Sequence, residues 1–240
     1  AADVDAMAAL VDDDTVALVG SAGTYPHGVV DPIAALSDLA VARGINLHVD
    51  GCLGGFVLAW GEDLGYPVPT FDFRLPGVTS ISADTHKYGF ALKGSSVLLY
   101  RTPELRALQY FVVPDWPGGL YTSPGMSGSR SGGIIAAAWA SMVTLGREGY
   151  RAIAGDIFRT AAELVDIVGA HPELRVLGRP FFNVAFSHAE DQPGRADGVD
   201  VFHVNDVLAE RGWRLNGLQL PPAVHFCVTR PNTQPGVMDR

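Results

Sequence analysis

Two stretches of this sequence decide the fold: HVDGCLGG at residues 48–55 and SISADTHKYGFALKGSS at residues 80–96. In the first stretch, Asp50 ends the apolar segment INLHVD. In the second, Lys87 lies in a loop that follows another strand-like segment. Ligands of open parallel sheets lie beyond the carboxyl ends of the strands. The two stretches therefore predict an acidic residue and a lysine at the same edge of one sheet.

The surrounding residues predict alternating strands and helices. In chain order these are a strand at 15–20, a helix at 31–43, and strands at 45–50, 79–83 and 95–100. Asp31 is expected to be the N-cap of the helix, with Pro32 at the first helical position. Gly44 is expected to end the helix. Short β-α-β connections of this kind indicate an α/β fold with a mostly parallel sheet.

The second half of the sequence predicts a smaller α+β unit. A long loop at 113–129 is followed by helices at 131–145 and 150–170, strands at 181–187 and 224–229, and a helix at 201–211. The expected boundary lies near Gly149. Residues 1–148 would then belong to a large domain and residues 149–240 to an incomplete small C-terminal domain.

An aspartate and a lysine at neighbouring strand ends suit the chemistry of pyridoxal 5′-phosphate (PLP). The lysine amine forms a Schiff base with the cofactor aldehyde, and the carboxylate keeps the pyridine nitrogen protonated. The amine must lose its proton, and burial in a cofactor-filled site is expected to lower the pKa of Lys87. Taken singly, Lys87 could be a solvated loop residue and Asp50 a turn residue. Gly54 and Gly55, which allow close backbone approach, favour the functional interpretation.

Together the two stretches resemble the group II decarboxylase family of fold-type I PLP-dependent enzymes. Within that family they look most like the lyases of phosphorylated long-chain bases. The resemblance covers nearly all of this sequence but only about the C-terminal half of a family member. It implies a PLP-dependent transferase-like large domain and an α+β C-terminal domain. It also implies that the N-terminal part, with its phosphate loop and ring-stacking side chain, is missing here.

The resemblance assigns Lys87 and Asp50 to catalysis and cofactor binding, and adds three cofactor-binding residues. Cys52 is small enough to leave room for a flat ring. His86 would bind the cofactor phosphate, and Ser82 is a further candidate for cofactor binding. The residues alone leave alternatives open: His86 could be bonded to backbone at the edge of the core, and Ser82 could make only a local hydrogen bond.

Three further residues are candidates for substrate binding. Lys93 follows the Schiff-base lysine closely and could bind the phosphate of a phosphorylated substrate, since such a group needs cationic or backbone donors. Tyr25 and His27 lie in the loop after the first strand, at the expected rim of the site. A surface position for Lys93 and a structural role for Tyr25 are the alternatives.

The segment at 116–130, WPGGLYTSPGMSGSR, is long and rich in glycine. In the family, such a segment reaches across a homodimer interface and offers backbone N–H groups to the partner's cofactor phosphate, so that the active site lies at the interface. Gly128 and Ser129 are the expected donors. A flexible surface loop is the alternative, although exposing Trp116 and Tyr121 would be unfavourable.

The resemblance implies a carbon–carbon lyase that cleaves sphingosine 1-phosphate, a phosphorylated amino alcohol, to a fatty aldehyde and phosphoethanolamine. Two alternatives remain at this stage. One is a decarboxylase of an amino acid such as glutamate or tyrosine, and the other is a non-catalytic fragment of such an enzyme.

Composition excludes several other classes. A net charge of −9 without a basic cluster argues against nucleic-acid binding. No apolar run reaches the roughly 18 residues needed to span a bilayer. Two distant cysteines give no disulfide framework and favour a reducing compartment, so a cytoplasmic protein is expected. The histidines have no metal-ligand spacing, and no metal site is predicted.

Overall fold

The computed structural model describes residues 1–189 and 198–238. Its first half is built on a four-stranded sheet of order β1-β2-β3-β4. The strands are β1 (Ala17–Ser21), β2 (Asn46–Asp50), β3 (Val78–Ala83) and β4 (Val97–Tyr100). The first three pair in parallel, and β4 pairs with β3 in the antiparallel direction. The predicted α/β fold with a mostly parallel sheet is confirmed.

Four helices accompany this sheet. They are α1 (Val4–Leu10), α2 (Ile33–Arg43), α3 (Gly54–Val57) and α4 (Pro103–Ala107). Helix α2 packs against β1 and β2, where alternate residues of β2, Leu47 and Val49, are fully buried. On the other face of β1, Val19 is 56% exposed. On this same face, α4 lies near His48 and Ser80.

The start of α2 differs from the prediction, whereas its end agrees with it. Pro32 occupies the N-cap position, and the Asp31 carboxylate instead accepts hydrogen bonds from the backbone N–H groups of Ser21 at 2.8 Å and Ala2 at 2.7 Å. The predicted Asp31 cap is therefore wrong, because this carboxylate binds backbone N–H groups outside the helix. Gly44 ends the helix in the left-handed conformation, with φ of 66°, as expected.

The segment predicted as a long loop at 113–129 contains part of a hairpin, and that prediction is wrong in part. Strands β5 (Phe111–Val113) and β6 (Tyr121–Ser123) pair in the antiparallel direction. The buried hydroxyl of Ser123 donates a 2.7 Å hydrogen bond to the carbonyl of Gly125 just beyond β6. Strands of three residues are too short to produce a recognisable alternating pattern.

A long helix, α5 (Gly132–Gly169), leads into the second half of the chain. It is interrupted at Gly146, where φ is 58° and ψ is −176°. The two predicted helices are thus present, with the break at Gly146 and with Gly149 inside the helix. None of the helices in the described ranges is long and apolar enough to cross a membrane.

A second, antiparallel sheet of order β7-β8-β10-β9 follows. The strands are β7 (Leu174–Val176), β8 (Asn183–His188), β9 (Asn216–Gln219) and β10 (Pro222–Cys227), and helix α6 (Val201–Glu210) lies between β8 and β9 in the chain. The sequence predicted β8, α6 and β10 but missed the short strands β7 and β9. The domain boundary at residue 149 remains a prediction, and residues 190–197 and 239–240 of the predicted small domain lie outside the described residues.

Glycines set the distance between α3 and the sheet. Gly54 donates its backbone N–H to the carbonyl of Ala22 at 3.1 Å, and a Cβ at position 54 would lie 2.1 Å from that oxygen. At Gly55, a Cβ would lie 2.7 Å from the Cβ of Ala83. No side chain fits at these distances, so the helix that follows Asp50 can approach both β1 and β3 only with glycine at these positions.

We expect Gly54→Ala to destabilise the fold by about 2 kcal/mol or more, because the methyl group overlaps a backbone carbonyl that cannot move freely. Urea unfolding measures the effect. Gly169→Ala is the matched control: a Cβ there has no atom within 4 Å, and alanine in a helix is neutral or stabilising by up to about 1 kcal/mol. Equal stability of the two variants would contradict this account of the packing.

Candidate active site

The pairing of β2 with β3 brings the two sequence stretches together at one edge of the sheet. Asp50 at the end of β2 lies opposite Ser82 of β3. Beyond the strands, the N–H of Gly51 donates to the carbonyl of Ser82 at 3.0 Å, and the N–H of Asp84 donates to the carbonyl of Cys52 at 3.2 Å. The loop that carries Lys87 therefore begins in direct contact with the loop that follows Asp50.

The Asp50 carboxylate is held by two donors. Its Oδ1 accepts hydrogen bonds from the backbone N–H of Cys52 at 3.0 Å and from the hydroxyl of Ser82 at 3.3 Å. The thiol of Cys52 contacts Asp50 on one side and Lys87 on the other. Burial raises the pKa of this thiol, and the neighbouring Asp50 carboxylate raises it further. Cys52 thus lies between the two residues that the sequence singled out.

Lys87 forms an ion pair with Asp84, which precedes it by three residues. Its Nζ is 2.8 Å from Oδ2 of Asp84, and Nε2 of His86 is 3.6 Å from the same oxygen. The side chain of Asp84 is only 13% exposed. Burial raises the pKa of Asp84, but hydrogen bonds from Lys87 and Ser96 outweigh burial, so the net pKa is lowered.

Two opposing effects act on the pKa of Lys87. Burial lowers it, as anticipated, but hydrogen bonds with Asp84 and Cys52 and the charge of Asp84 outweigh burial. The net pKa of Lys87 is therefore raised. A carboxylate three residues before the lysine thus stabilises its charged form, and the lowered pKa expected in a cofactor-filled site stays a prediction.

Aromatic residues hold the Lys87 loop from the far side. The hydroxyl of Tyr88 donates to the carbonyl of Val228 at 2.8 Å, and the hydroxyl of Tyr150 donates to the carbonyl of Gly89 at 2.7 Å. The buried ring of Tyr88 also packs edge to face on Phe182, with centroids 5.2 Å apart. Sequence reasoning missed these partners, because they lie far along the chain in elements without any recognisable motif.

His86 faces backbone within the loop. Its Nδ1 is within hydrogen-bonding distance of the carbonyl of Ser95, and the hydroxyl of Thr85 donates to the same carbonyl at 2.9 Å. The Nε2 atom of His86 points toward Asp84. This geometry fits the backbone-bonded alternative at Nδ1. It leaves the phosphate-binding role of His86 as a prediction.

Tyr25 and His27 lie in a loop that the C-terminal sheet supports. The side chain of Tyr25 is 55% exposed, and its ring packs edge to face on buried His225 at 4.8 Å. The side-chain amide of Asn183 donates to the carbonyl of Tyr25, and Nδ1 of His225 is 2.9 Å from the carbonyl of Pro26. The pKa of His27 is lowered, chiefly by burial. Sequence reasoning missed Asn183 and His225 at this loop, because they lie far along the chain.

The remaining predicted site residues lie at the surface. Lys93 is exposed in the turn before β4 and forms no ion pair within 1–189 and 198–238. Gly128 has φ of 64°, and Ser129 is exposed in the segment between β6 and α5. Within the described part of the chain, no hydrogen bond joins these three residues to Asp50 or Lys87. The structure therefore brings together Asp50, Cys52, Ser82, His86 and Lys87, and leaves Lys93, Gly128 and Ser129 apart from them.

Sequence reasoning missed one more residue of this site, His48. It precedes Asp50 by two residues in β2, and residues two apart in a strand point to the same face. Its Nδ1 lies 2.8 Å from the hydroxyl of Ser80, and its Nε2 lies 3.3 Å from the hydroxyl of Ser82. The alternation of the strand was the signal that could have found it.

The side chains at this edge fit PLP. The amine of Lys87 can bind the cofactor aldehyde, and the carboxylate of Asp50 can bind the ring nitrogen. The small thiol of Cys52 between them leaves room for a flat ring. No group of three or more metal-ligating side chains occurs among the residues described. The sequence model of the pyridoxal-dependent decarboxylase conserved domain matches residues 7–188, and this chain belongs to that family. Its cofactor is accordingly PLP.

The curated relatives that this chain matches well are lyases of one kind. The chain is 47% identical over 233 residues to a sphingosine-1-phosphate lyase of Oryza sativa subsp. japonica, covering 97% of this chain and 42% of the relative. It is 46% identical over 229 residues to that of Arabidopsis thaliana, covering 95% of this chain and 41% of the relative. This chain thus spans about two fifths of the length of these relatives.

Solved structures agree with the sequence comparison. The structure of a Burkholderia pseudomallei sphingosine-1-phosphate lyase superposes with a TM-score of 0.92 and 58% identity, over 99% of this chain and 53% of that one. A Lactobacillus brevis glutamate decarboxylase superposes with a TM-score of 0.76 and 23% identity, over 95% of this chain and 53% of that one. The second likeness shows a shared fold. The predicted family and fold are confirmed.

We expect Asp84→Asn to lower the pKa of Lys87, because the variant removes the carboxylate that stabilises the ammonium form. More of the amine is then neutral at a given pH, and the midpoint of the pH profile for PLP attachment moves to lower pH. Stopped-flow absorbance of PLP mixing, repeated across a pH series, measures this midpoint. Asp72→Asn is the control, since Asp72 pairs with Arg74 at 3.0 Å in an exposed position away from this loop. An unchanged midpoint in Asp84→Asn would contradict this interpretation.

Proposed function

We propose that the protein is a PLP-dependent carbon–carbon lyase that cleaves sphingosine 1-phosphate, or a similar phosphorylated long-chain base. The observation that carries this proposal is the likeness to the Burkholderia pseudomallei lyase, at 58% identity over 99% of this chain. That stretch includes both Asp50 and Lys87, which lie at the same edge of the sheet. Because the chain spans only part of its relatives' length, the activity of the whole protein is part of the proposal.

The reaction balances without an oxidant or a reductant. The substrate 3-hydroxyl loses its proton, the C2–C3 bond breaks with its electron pair left on C2, and C2 then takes up a proton. The products are a fatty aldehyde and phosphoethanolamine. Bound PLP supplies the electron sink that stabilises the electron pair on C2.

The residues of this chain would divide the remaining tasks. Lys87 would hold the cofactor through its side-chain amine. Asp50, fixed at Oδ1, would accept a hydrogen bond from the N–H of the pyridine ring. Asp84 lies 2.8 Å from the lysine amine and would hold that amine as ammonium whenever it is released. Cys52 lies between Asp50 and Lys87 and would leave the space that a flat ring requires.

Two anionic groups need separate binding sites, the phosphate of PLP and the phosphate of the substrate. For the cofactor phosphate we propose His86, together with Gly128 and Ser129 from a second copy of the chain. For the substrate phosphate we propose Lys93, which has no competing ion pair among the described residues. Its position in the loop between Lys87 and β4 keeps it on the same segment as the reacting amine.

Tyr25 and His27 would form the rim of the substrate site. The exposure of the Tyr25 side chain and the support of its loop by Asn183 and His225 favour a shaped contact surface. Burial lowers the pKa of His27, so this imidazole is neutral near pH 7 and can accept as well as donate a hydrogen bond. Both residues are proposed to contact the polar end of the substrate.

The decarboxylase alternative has weaker support. The decarboxylase structures share the fold, but the glutamate decarboxylase of Lactobacillus brevis is only 23% identical to this chain. A likeness of that size carries no information about substrate. The lyase relatives are about twice as similar in sequence and favour the first reading.

We also propose that the protein forms a homodimer. Three apolar side chains, Ile135, Trp139 and Val143, follow one another at four-residue spacing on α5 and are 58%, 63% and 61% exposed. Trp116 and Tyr121 of the neighbouring hairpin region are 49% and 44% exposed. Apolar surface of this extent is unfavourable in water and typical of a protein interface. The segment with Gly128 and Ser129 connects these two apolar patches.

A cytoplasmic location is proposed as well. The two cysteines of the chain, Cys52 and Cys227, are both free. Free cysteines and the absence of a disulfide framework are typical of a reducing compartment.

Mass spectrometry of products tests the lyase assignment. With PLP and sphingosine 1-phosphate, the protein is expected to release fatty aldehyde and phosphoethanolamine, and Lys87→Ala is expected to release neither. A panel of amino acids that includes glutamate and tyrosine is the parallel substrate set. Release of amine and carbon dioxide from that panel would move the assignment to a decarboxylase. A colourless protein without turnover would indicate a non-catalytic fragment.

The role of Lys93 is tested by Lys93→Met. Loss of a charge-assisted hydrogen bond to phosphate is expected to raise KM for sphingosine 1-phosphate about 10- to 100-fold, with a smaller change in kcat. Lys93→Arg keeps the charge and is expected to restore most of the affinity. An unchanged KM in Lys93→Met would remove this residue from the substrate site.

The dimer is tested by Trp139→Glu, which places a charge in the centre of the apolar stripe on α5. We expect the dimer dissociation constant to rise more than about tenfold, because the carboxylate would have to be desolvated in the interface. Sedimentation velocity measures it. Glu163→Gln, an exposed position in the second half of α5, is the control. A monomeric wild-type protein, or a dimer that Trp139→Glu leaves intact, would contradict the proposed interface.

A further inference from the structure

Behind Asp50, four side chains of β2 and β3 form a continuous hydrogen-bonded chain. The hydroxyl of Ser80 lies 2.8 Å from Nδ1 of His48, and Nε2 of His48 lies 3.3 Å from the hydroxyl of Ser82. The hydroxyl of Ser82 lies 3.3 Å from Oδ1 of Asp50. The chain thus runs from Ser80 through His48 and Ser82 to the carboxylate that faces the proposed cofactor.

The strand geometry explains why these residues meet. In β2, His48 and Asp50 are two residues apart and share a face, as Ser80 and Ser82 do in β3. The register pairs His48 with Ser80 and Asp50 with Ser82. Two adjacent cross-strand pairs on one face of a parallel sheet are therefore enough to build the chain.

The direction of every hydrogen bond in the chain follows from its last member. An ionised carboxylate only accepts, so the hydroxyl of Ser82 donates to Asp50. The oxygen of Ser82 must then accept from His48, which places the ring proton of His48 on Nε2. The other ring nitrogen, Nδ1, is left as the acceptor, and the hydroxyl of Ser80 donates to it. One tautomer of a neutral His48 satisfies all three contacts.

The surroundings of His48 agree with the neutral form. Burial lowers its pKa, and the nearby charge of Asp50 opposes this effect without reversing it. Asp50 is the charged side chain that acts on the imidazole. A neutral imidazole with fixed tautomer can orient a hydroxyl without adding a second charge beside the carboxylate.

We infer that His48 is a positioning residue for the cofactor: through Ser82 it fixes the hydroxyl that donates to Asp50, and so holds this carboxylate oriented for the ring nitrogen of PLP. Residues that orient a functional group from behind contribute to binding although they touch no ligand. The inference rests on the PLP site of the proposed function and is independent of the substrate. It also gives Ser82 a specific role, since its hydroxyl acts on Asp50.

The experiment compares two cofactors in the full chain. One is PLP, and the other is its carbocyclic analogue, in which a C–H group replaces the ring nitrogen. Both have the aldehyde and the phosphate, but only PLP uses the ring nitrogen contact with Asp50. Equilibrium titration followed by absorbance gives a dissociation constant for each, and the variants are His48→Leu and His48→Gln.

We expect His48→Leu to weaken PLP binding on the order of tenfold, since a hydrogen-bonded partner of a charged group is lost, and to leave binding of the analogue unchanged. His48→Gln keeps a side-chain N–H able to donate to Ser82 and is expected to restore most of the PLP affinity. Asn46→Ala, which changes the residue two positions before His48 on the same face of β2, is the control and is expected to leave both constants unchanged.

Two results would overturn the inference. An equal loss for PLP and for the analogue in His48→Leu would mean that the variant damages the site in general. No loss for either cofactor would mean that His48 has no part in holding Asp50. The outcome is separate from the lyase assignment: a protein that binds PLP but forms no aldehyde would overturn the lyase alone. A wild-type protein that binds no PLP would overturn both.

Discussion

The parallel pairing of β2 with β3 is the constraint on which the rest of the site depends. Its register sets Asp50 opposite Ser82 and so brings the ends of both strands to one edge. A slip of one residue would turn Asp50 away from this face, since neighbouring residues of a strand point in opposite directions. Backbone hydrogen bonds between the two following loops then hold Lys87 and Asp50 around Cys52. The small residues of α3 make this approach sterically feasible.

The C-terminal unit contributes to the site although it carries none of the reacting groups. Through Val228 and Phe182 it holds Tyr88, the neighbour of Lys87 in the chain. Through Asn183 and His225 it holds the loop of Tyr25. A change in the second sheet therefore alters both the cofactor lysine and the rim of the substrate site. The two parts of this chain act together, with the small sheet supporting the edge of the large one.

Sequence patterns predicted the elements whose signals are local. The apolar runs before Gly20 and Asp50, and the stop at Gly44, are visible in a few residues, and the β-α-β unit follows from them. The hairpin strands at 111–113 and 121–123 were not predictable, because strands of three residues have no resolvable period. The pair of Asp50 with Lys87 was accessible from chemistry. The raised pKa of Lys87 was not, since it depends on how close the carboxylate of Asp84 lies in three dimensions.

The most direct measurement of the central claim is the position of the cofactor on the chain. Treatment of the PLP-loaded protein with borohydride fixes the cofactor covalently to its lysine, and peptide mass spectrometry locates the added mass. The sequence has two lysines, Lys87 and Lys93, so the result is unambiguous. We expect the label on Lys87 alone. A label on Lys93, or an unlabelled protein, would contradict it.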